Sequence, residues 1–338
     1  MKKNLKTELD SLTTRKSFLK QSALSLLGLT MLPSWKTAQG LGQAQNVIVP
    51  ESNVGSNAKT IRSISYNIFN GCIGYKGING RDLPPGEQST LVKTARELGQ
   101  IPIRIMQELA LYRPNIINFS ESPGEETIAE MAKILGMNYA FFPGGKNRKG
   151  KFPGAILTNF EILNSETRPF ANKNGDLEEL FTRHWGKATL RLPNGKSIVV
   201  HSAHLWPFAK EENDTRIRLE EISAMQAAIE HDAAGDADSI LLQGDLNHTP
   251  DTLEYERLNS GRLVDAFKAA GDGDGYTANA IKPAKRIDYI YCAGTLSGQI
   301  KECRTLYEGS FRMNNEDPNG FALSDHLPVL ADFWLDTV

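Results

Sequence analysis

Ser239-Ile240-Leu241-Leu242-Gln243-Gly244-Asp245-Leu246-Asn247 opens apolar throughout and closes on glycine, aspartate and asparagine. Four apolar-compatible positions in a row, rather than an alternation, are the pattern of a strand buried on both faces. Side chains two apart on a strand share a face, so Asp245 and Asn247 can point to one place. A carboxylate there can bind a hard cation or orient a water, and an amide can hold a phosphoryl oxygen. The competing explanation is a plain strand end closed by an Asx turn.

The same design recurs on both sides of this segment. Ser65-Tyr66-Asn67-Ile68 and Asn118-Phe119-Ser120-Glu121 each finish an apolar run with a polar side chain. Arg286-Ile287-Asp288-Tyr289-Ile290-Tyr291 places one carboxylate among apolar residues, where it is costly without a partner. Its natural partner is a histidine, whose tautomer and charge it would fix. Ser324-Asp325-His326-Leu327-Pro328-Val329 brings adjacent Asp and His to the start of another strand. His201-Ser202-Ala203-His204-Leu205-Trp206 ends a strand with two imidazoles. Three residues apart on a strand, they face opposite ways, so one at most joins the site. The residues alone leave open which of the two does. Taken singly, each segment also reads as an ordinary strand end. Together they read as one polar site built where several strands finish, and they point to metal-assisted hydrolysis of phosphate esters.

Strand-like runs bounded by Gly, Pro, Asn or Asp fall at about 60–68, 115–120, 138–142, 154–158, 186–192, 197–204, 239–244, 287–292 and 329–334. Residues 90–112 place Leu91, Ala95, Leu98, Ile105, Leu109 and Tyr112 at helical spacing, and residues 214–231 do the same with Ile217, Ile222, Met225 and Ile229. Many strands mixed with surface helices imply an α/β fold of two packed sheets with helices outside. The order of strands in those sheets cannot be read from the sequence.

The chain has 338 residues, 23% charged and 40% apolar, enough to bury a large core without staples. Its first 44 residues differ from the rest. Lys2, Lys3, Lys6, Arg15, Lys16 and Lys20 precede a short apolar run, Ala23 to Leu32, which is too short to span a bilayer. We read 1–44 as an export signal, 45–59 as a flexible spacer and 60–338 as one domain. Thr14-Arg15-Lys16-Ser17-Phe18-Leu19-Lys20 resembles the twin-arginine motif, with Lys16 where the second Arg normally sits. The expected location is therefore periplasmic or extracellular, with no transmembrane anchor in the mature chain, and we expect a monomer. The leader carries a net +5, so removing it takes the chain from −2 to about −7. Such a surface has no global pull on nucleic acid, and a small phosphate ester is favoured over a polyanion. Cys72, Cys292 and Cys303 show no zinc spacing and are expected as buried free thiols.

In chain order the polar residues run Asn67, Glu121, His204, Asp245-x-Asn247, Asp288 and Asp325-His326. That order resembles the endonuclease/exonuclease/phosphatase family, which includes deoxyribonuclease I-like nucleases, neutral sphingomyelinases and inositol polyphosphate 5-phosphatases. The resemblance covers about residues 60–335. Gly244-Asp245-x-Asn247 and Ser324-Asp325-His326-x-Pro328-Val329 are its most specific parts, with Gly154-Ala155-Ile156-Leu157 in support. It implies a four-layer α/β sandwich, two mixed sheets face to face with helices outside. It implies Mg²⁺, or Mn²⁺, held by Glu121 with Asn67 and Asp325. Asp245 would activate the water, Asn247 would hold the phosphate, Asp288 and His326 would form a dyad, and His204 would contact the phosphate or the leaving group. Ser120 stands where the family usually has Gln. Within the resemblance, a secreted nuclease and a non-catalytic binding module are the alternative readings. Two basic stretches, Lys146 to Lys151 and Lys282 to Arg286, are candidate grips for phosphate, and Trp206-Pro207-Phe208 is a candidate aromatic rim.

Overall fold

β-Branched and aromatic runs separated by turn residues produce strands here, as expected. The computed structural model describes residues 60–72, 77–78, 81–82, 94–95, 97–144, 152–168, 181, 183–207, 212–235, 237–308, 311 and 322–335. The expected export signal and spacer, and the basic stretch Lys146 to Lys151, lie outside these residues. In chain order the strands are β1 Thr60–Asn67, β2 Gly77–Ile78, β3 Arg81–Asp82, β4 Ile116–Ser120, β5 Asn138–Phe142, β6 Gly154–Thr158, β7 Glu161–Arg168, β8 Trp185–Arg191, β9 Ser197–His204, β10 Ser239–Asp245, β11 Val264–Asp265, β12 Gly271–Asp272, β13 Asp288–Gly294, β14 Ile300–Thr305 and β15 Val329–Trp334. The helices are α1 Phe69–Cys72, α2 Gln100–Ala110, α3 Glu125–Leu135, α4 Glu212–Ala234, α5 Leu253–Asn259 and α6 Ala266–Ala270.

Two mixed sheets form. One runs β12-β14-β15-β1-β4-β6-β5 and the other β11-β13-β10-β9-β8-β7. Three apolar layers explain their stacking. Ile64, Tyr66, Ile117 and Phe119 pack outward with Ile105 and Leu109 of α2 and Met131 of α3. Ile61, Ile116 and Ile156 meet Val200, Leu241 and Ile290 between the sheets. Val199, Ile240 and Leu242 pack outward with Ile222, Met225 and Ile229 of α4. Alternate residues of β10 thus serve two different layers, which is why its sequence does not alternate. Each such aliphatic side chain stabilises by roughly 1.5–3 kcal/mol relative to exposure. The result is the four-layer α/β sandwich.

Some local expectations change. The helix expected over 90–112 is interrupted at Gly99, which adopts a left-handed φ of 65° beside an exposed Leu98; Thr94, Ala95 and Glu97 are helical before it and Gln100–Ala110 after it. β7, reading Glu161-Ile-Leu-Asn-Ser-Glu-Thr-Arg168, carried no strand signal. It is an edge strand with one neighbour, so half of its residues are exposed and none is fully buried. The helix α3 was also unassigned, although Gly136 ends it with a left-handed cap. Cys292 and Cys303 are buried free thiols. Among the described residues no helix is long and apolar enough to cross a membrane.

Candidate active site

Strand register assembles the site. His204 on β9, Asp245 on β10 and Asp288 on β13 are direct register partners, so they form one row projecting from one face. Across the sandwich Asn67 ends β1 beside Ser120 of β4, and Glu121 follows. Ser63 Oγ donates to Gln243 Oε1 at 2.8 Å, linking the two sheets just below. Asn67 Nδ2 then reaches Asp245 Oδ2 at 3.0 Å and Glu121 Oε1 at 3.3 Å. The Ser324 hydroxyl donates to the Asn67 carbonyl at 2.6 Å and accepts the His326 N–H at 3.1 Å, which draws the 324–326 turn into the same place.

The backbone bends unusually at two of these residues. Glu121 and Asn247 both have φ of 52°, in the left-handed region that non-glycine residues seldom enter. Keeping a functional side chain there, at a cost on the order of 1–3 kcal/mol, is a mark of a working site. Gly244 is required for a different reason. A Cβ there would lie 1.8 Å from the Ala203 carbonyl oxygen of the neighbouring strand. The Asx turn considered above exists, since Asn247 N–H donates to Asp245 Oδ1 at 3.1 Å. It occupies one carboxylate oxygen and leaves Oδ2 for the cluster. One amide N–H of Asn247 is spent on the Leu205 carbonyl at 3.0 Å.

The two imidazoles take opposite charge states. His326 Nδ1 is 2.8 Å from Asp288 Oδ2, and Asp288 is braced by its own N–H donating to Thr277 Oγ1 at 3.2 Å. Burial works against the imidazolium, but Asp288, Asp245 and Asp325 outweigh it and hold His326 well above the usual histidine range. His204 is held well below that range by burial and then by Arg183, His184 and His326. Its Nε2 lies 3.5 Å from Asp245 Oδ2 and 4.0 Å from Glu121 Oε1, while Nδ1 has no hydrogen-bond partner among the described residues. Burial and the Asp288 charge push the Asp245 carboxyl up to about 8, against the pull of His326 and Asn67.

His201 points the other way. Its Nε2 pairs with Asp232 Oδ2 at 3.0 Å and its Nδ1 accepts from Trp185 Nε1 at 3.3 Å, so it fastens β9 to α4. His204 is the imidazole that enters the cluster.

The donor chemistry fits a hard divalent cation. Asp245, Asp288 and His326 can bring three ligand atoms within 4.8 Å of one another. The set expected from sequence was Asn67, Glu121 and Asp325. We favour the Glu121 side, because Asp288 and His326 already satisfy each other and a charged His326 repels a cation. Among the described residues no Lys or Arg is ion-paired with Asp245 or Asp288, and His326 is the one cationic side chain that faces both. Asn67 is oriented as a donor: its Oδ1 accepts the Phe69 N–H at 3.1 Å while its NH₂ bridges two carboxylates. Asp325 is half-buried and accepts from the Ser324 hydroxyl at 3.4 Å.

Two members of the peripheral candidates are spent elsewhere, while Lys282 and Lys285 are exposed and Phe208 lies outside the described residues. Arg286 does not reach out for phosphate; it is buried against Asp265 at 2.8 Å and stacked beneath Tyr289. Trp206 is buried, and its backbone is held by Glu221 at 2.9 Å, so it packs rather than forms a rim. Sequence reasoning also missed Thr277, which braces the dyad from a loop with no distinguishing pattern. Ser120, noted as a departure, accepts the Asp245 N–H at 3.4 Å across the sheets.

A row of carboxylates and imidazoles at the strand ends is an arrangement that metal-assisted hydrolysis of a phosphate ester can use. A profile of the Endonuclease/Exonuclease/phosphatase family matches residues 64–326, and the chain belongs to that family. Members are phosphoesterase hydrolases that generally depend on a divalent metal. Among solved structures, a family protein from Bacteroides thetaiotaomicron is similar at 15% identity and TM-score 0.60, over 82% of this chain and 98% of that one. A mannosyl-6-phosphatase from Bacteroides thetaiotaomicron is similar at 16% identity and TM-score 0.60, over 80% and 98%. D. rerio TDP2, solved with a single-strand DNA product, is similar at 18% identity and TM-score 0.54, over 82% and 99%. No curated protein matches the sequence.

Proposed function

We propose that the protein is an exported, Mg²⁺-dependent phosphoesterase that hydrolyses a small phosphate ester by in-line attack of water. The observation that carries this is the row His204, Asp245 and Asp288 facing Asn67 and Glu121, with His326 between them. The metal, held by Glu121 with Asp325 and Asn67 beside it, would supply positive charge to the phosphoryl oxygens. Asp245, held at both oxygens by Asn67 and the Asn247 N–H, is a stronger base than a surface aspartate. It receives a proton as water oxygen bonds to phosphorus. The His326 imidazolium, fixed by Asp288, donates to a phosphoryl oxygen as negative charge builds. The remaining N–H of Asn247 steadies a second oxygen. Neutral His204 lends an N–H to the phosphate or to the leaving oxygen as the P–O bond breaks. The mature charge of about −7 favours sugar phosphates or similar small esters over polyanions.

Chelation is expected to abolish hydrolysis of bis-p-nitrophenyl phosphate or p-nitrophenyl phosphate, and added Mg²⁺ or Mn²⁺ to restore it. Activity indifferent to a chelator, or absent at every metal concentration, would sink the assignment. The export component has its own readout. Full-length protein should fractionate outside the cytoplasm, and a version lacking residues 1–44 should stay within it; equal distribution of the two overturns it.

A further inference from the structure

The loop between β12 and β13 carries a cation that the mechanism above does not use, Lys285. Its place is set by the backbone. Ala278 and Lys285 exchange both main-chain hydrogen bonds, at 3.0 and 3.1 Å. On its other side Ala278 is the antiparallel bridge partner of His326. Leu327 N–H donates to the Thr277 carbonyl at 2.7 Å and Ala280 N–H to the Asp325 carbonyl at 2.6 Å, so the two segments are fastened on both sides of that bridge. Residues directly opposite each other in antiparallel segments project to the same face. Lys285, Ala278 and His326 therefore form a second row, which starts at the dyad and leads outward from it.

The middle member of that row is alanine, whose methyl puts little bulk between the outer two. Two cross-strand steps of roughly 5 Å each separate the Cβ atoms of Lys285 and His326. A flexible four-carbon stem lets the ammonium cover part of that span. Lys285 is exposed, and among the described residues no carboxylate is ion-paired with it. Its neighbours are placed differently. Arg286 is buried on Asp265, and Lys282 lies at the loop tip, where its N–H closes onto Asn279 Oδ1 at 2.9 Å. An exposed lysine is ordinarily a solvated surface charge. What sets Lys285 apart is a backbone that indexes it to His326 by hydrogen bonds, on the face the imidazole uses. An ammonium is a point charge without the fixed fork of a guanidinium, so it takes a phosphate or a carboxylate alike.

We propose that Lys285 is a specificity-determining residue that takes a second anionic group, a phosphate or a carboxylate, on the part of the substrate that is not hydrolysed. This rests on the phosphoesterase reading above and narrows its substrate to a small ester whose two anionic groups lie within roughly 10 Å of each other. Water cleaves the P–O bond of the group at the cluster, and the products are inorganic phosphate and an alcohol that keeps the other anionic group.

The test compares phosphate release from glucose 6-phosphate, glucose 1,6-bisphosphate and 6-phosphogluconate by metal-loaded wild type, Lys285→Gln, Lys285→Arg and Lys196→Gln. Lys196 lies in the turn before β9, at the opposite end of that strand from His204, so its variant removes the same charge far from the site. Calorimetry measures binding of the same three ligands in the Asp245→Asn background, where turnover is slow. Wild type should favour the bisphosphate, the phosphogluconate or both over glucose 6-phosphate by about tenfold or more in kcat/KM, the scale of one charge-assisted contact. Whichever ester gains names the anionic group. Lys285→Gln should remove most of that advantage, chiefly through KM, and leave glucose 6-phosphate nearly unchanged. Lys285→Arg should keep it, and Lys196→Gln should not alter it. No advantage in wild type, an equal loss on all three esters in Lys285→Gln, or the same loss in Lys196→Gln overturns the proposal. If wild type hydrolyses none of the three, binding decides: weaker binding of the doubly anionic ligands in Lys285→Gln alone sinks the catalytic reading and leaves the subsite standing, and unchanged binding sinks both.

Discussion

Asp245→Asn should lower kcat by about a thousandfold, the scale of a lost general base, without unfolding the protein. The carboxylate is buried, pushed up to about 8, and sits between Asn67, His204 and His326. Asparagine keeps the shape and the turn but cannot take a proton from water. The stability consequence has the opposite sign. A carboxyl whose folded pKa lies above its unfolded value of about 4 contributes stability at low pH that is lost as pH rises from about 4 through about 8. In metal-free protein at pH 8 to 9, Asp245→Asn should therefore melt at the same temperature as wild type or higher. Steady-state kinetics with metal and thermal melts in chelator check the two halves. A variant that keeps a tenth of wild-type kcat, or that melts well below wild type in chelator, removes Asp245 from the role of base.

Asp288 and His326 should behave as one unit. His326→Gln is expected to cost about a hundred- to a thousandfold in kcat, and Asp288→Asn nearly as much. The double variant should be hardly worse than His326→Gln alone, because groups that act together are strongly non-additive. The structural basis is the 2.8 Å contact from His326 Nδ1 to Asp288 Oδ2 and the charge that the carboxylate keeps on the ring. A double-mutant cycle on kcat/KM measures the coupling. Additive losses would mean that the two residues serve catalysis separately and that the dyad is only a structural contact.

Most of the site was legible because its residues terminate strands. A polar side chain at the end of an apolar run stands out, and the order Asn67, Glu121, His204, Asp245, Asp288, His326 carries more information than any member. The pieces that escaped notice lack that contrast. Thr277 and Ser120 are small polar residues whose hydroxyls accept backbone N–H groups, from Ile287 and Asp288 and from Asp245. Arg286 misled because a basic residue beside Asp288 looks like a phosphate grip, and only packing shows it spent on Asp265.

The sequence by itself determined which strands would be buried, through the continuous apolar run of β10, and which residue types would sit at their ends. It also determined that His201 and His204 could not both serve one site, because side chains alternate along a strand. Tertiary structure decided which of the two does. Register across β9, β10 and β13 aligned His204, Asp245 and Asp288, and the packing of one sheet on the other brought Asn67 and Glu121 to meet them. It also decided the charge states, since burial and neighbouring charges, which no local sequence carries, drive one histidine toward the neutral form and keep the other protonated.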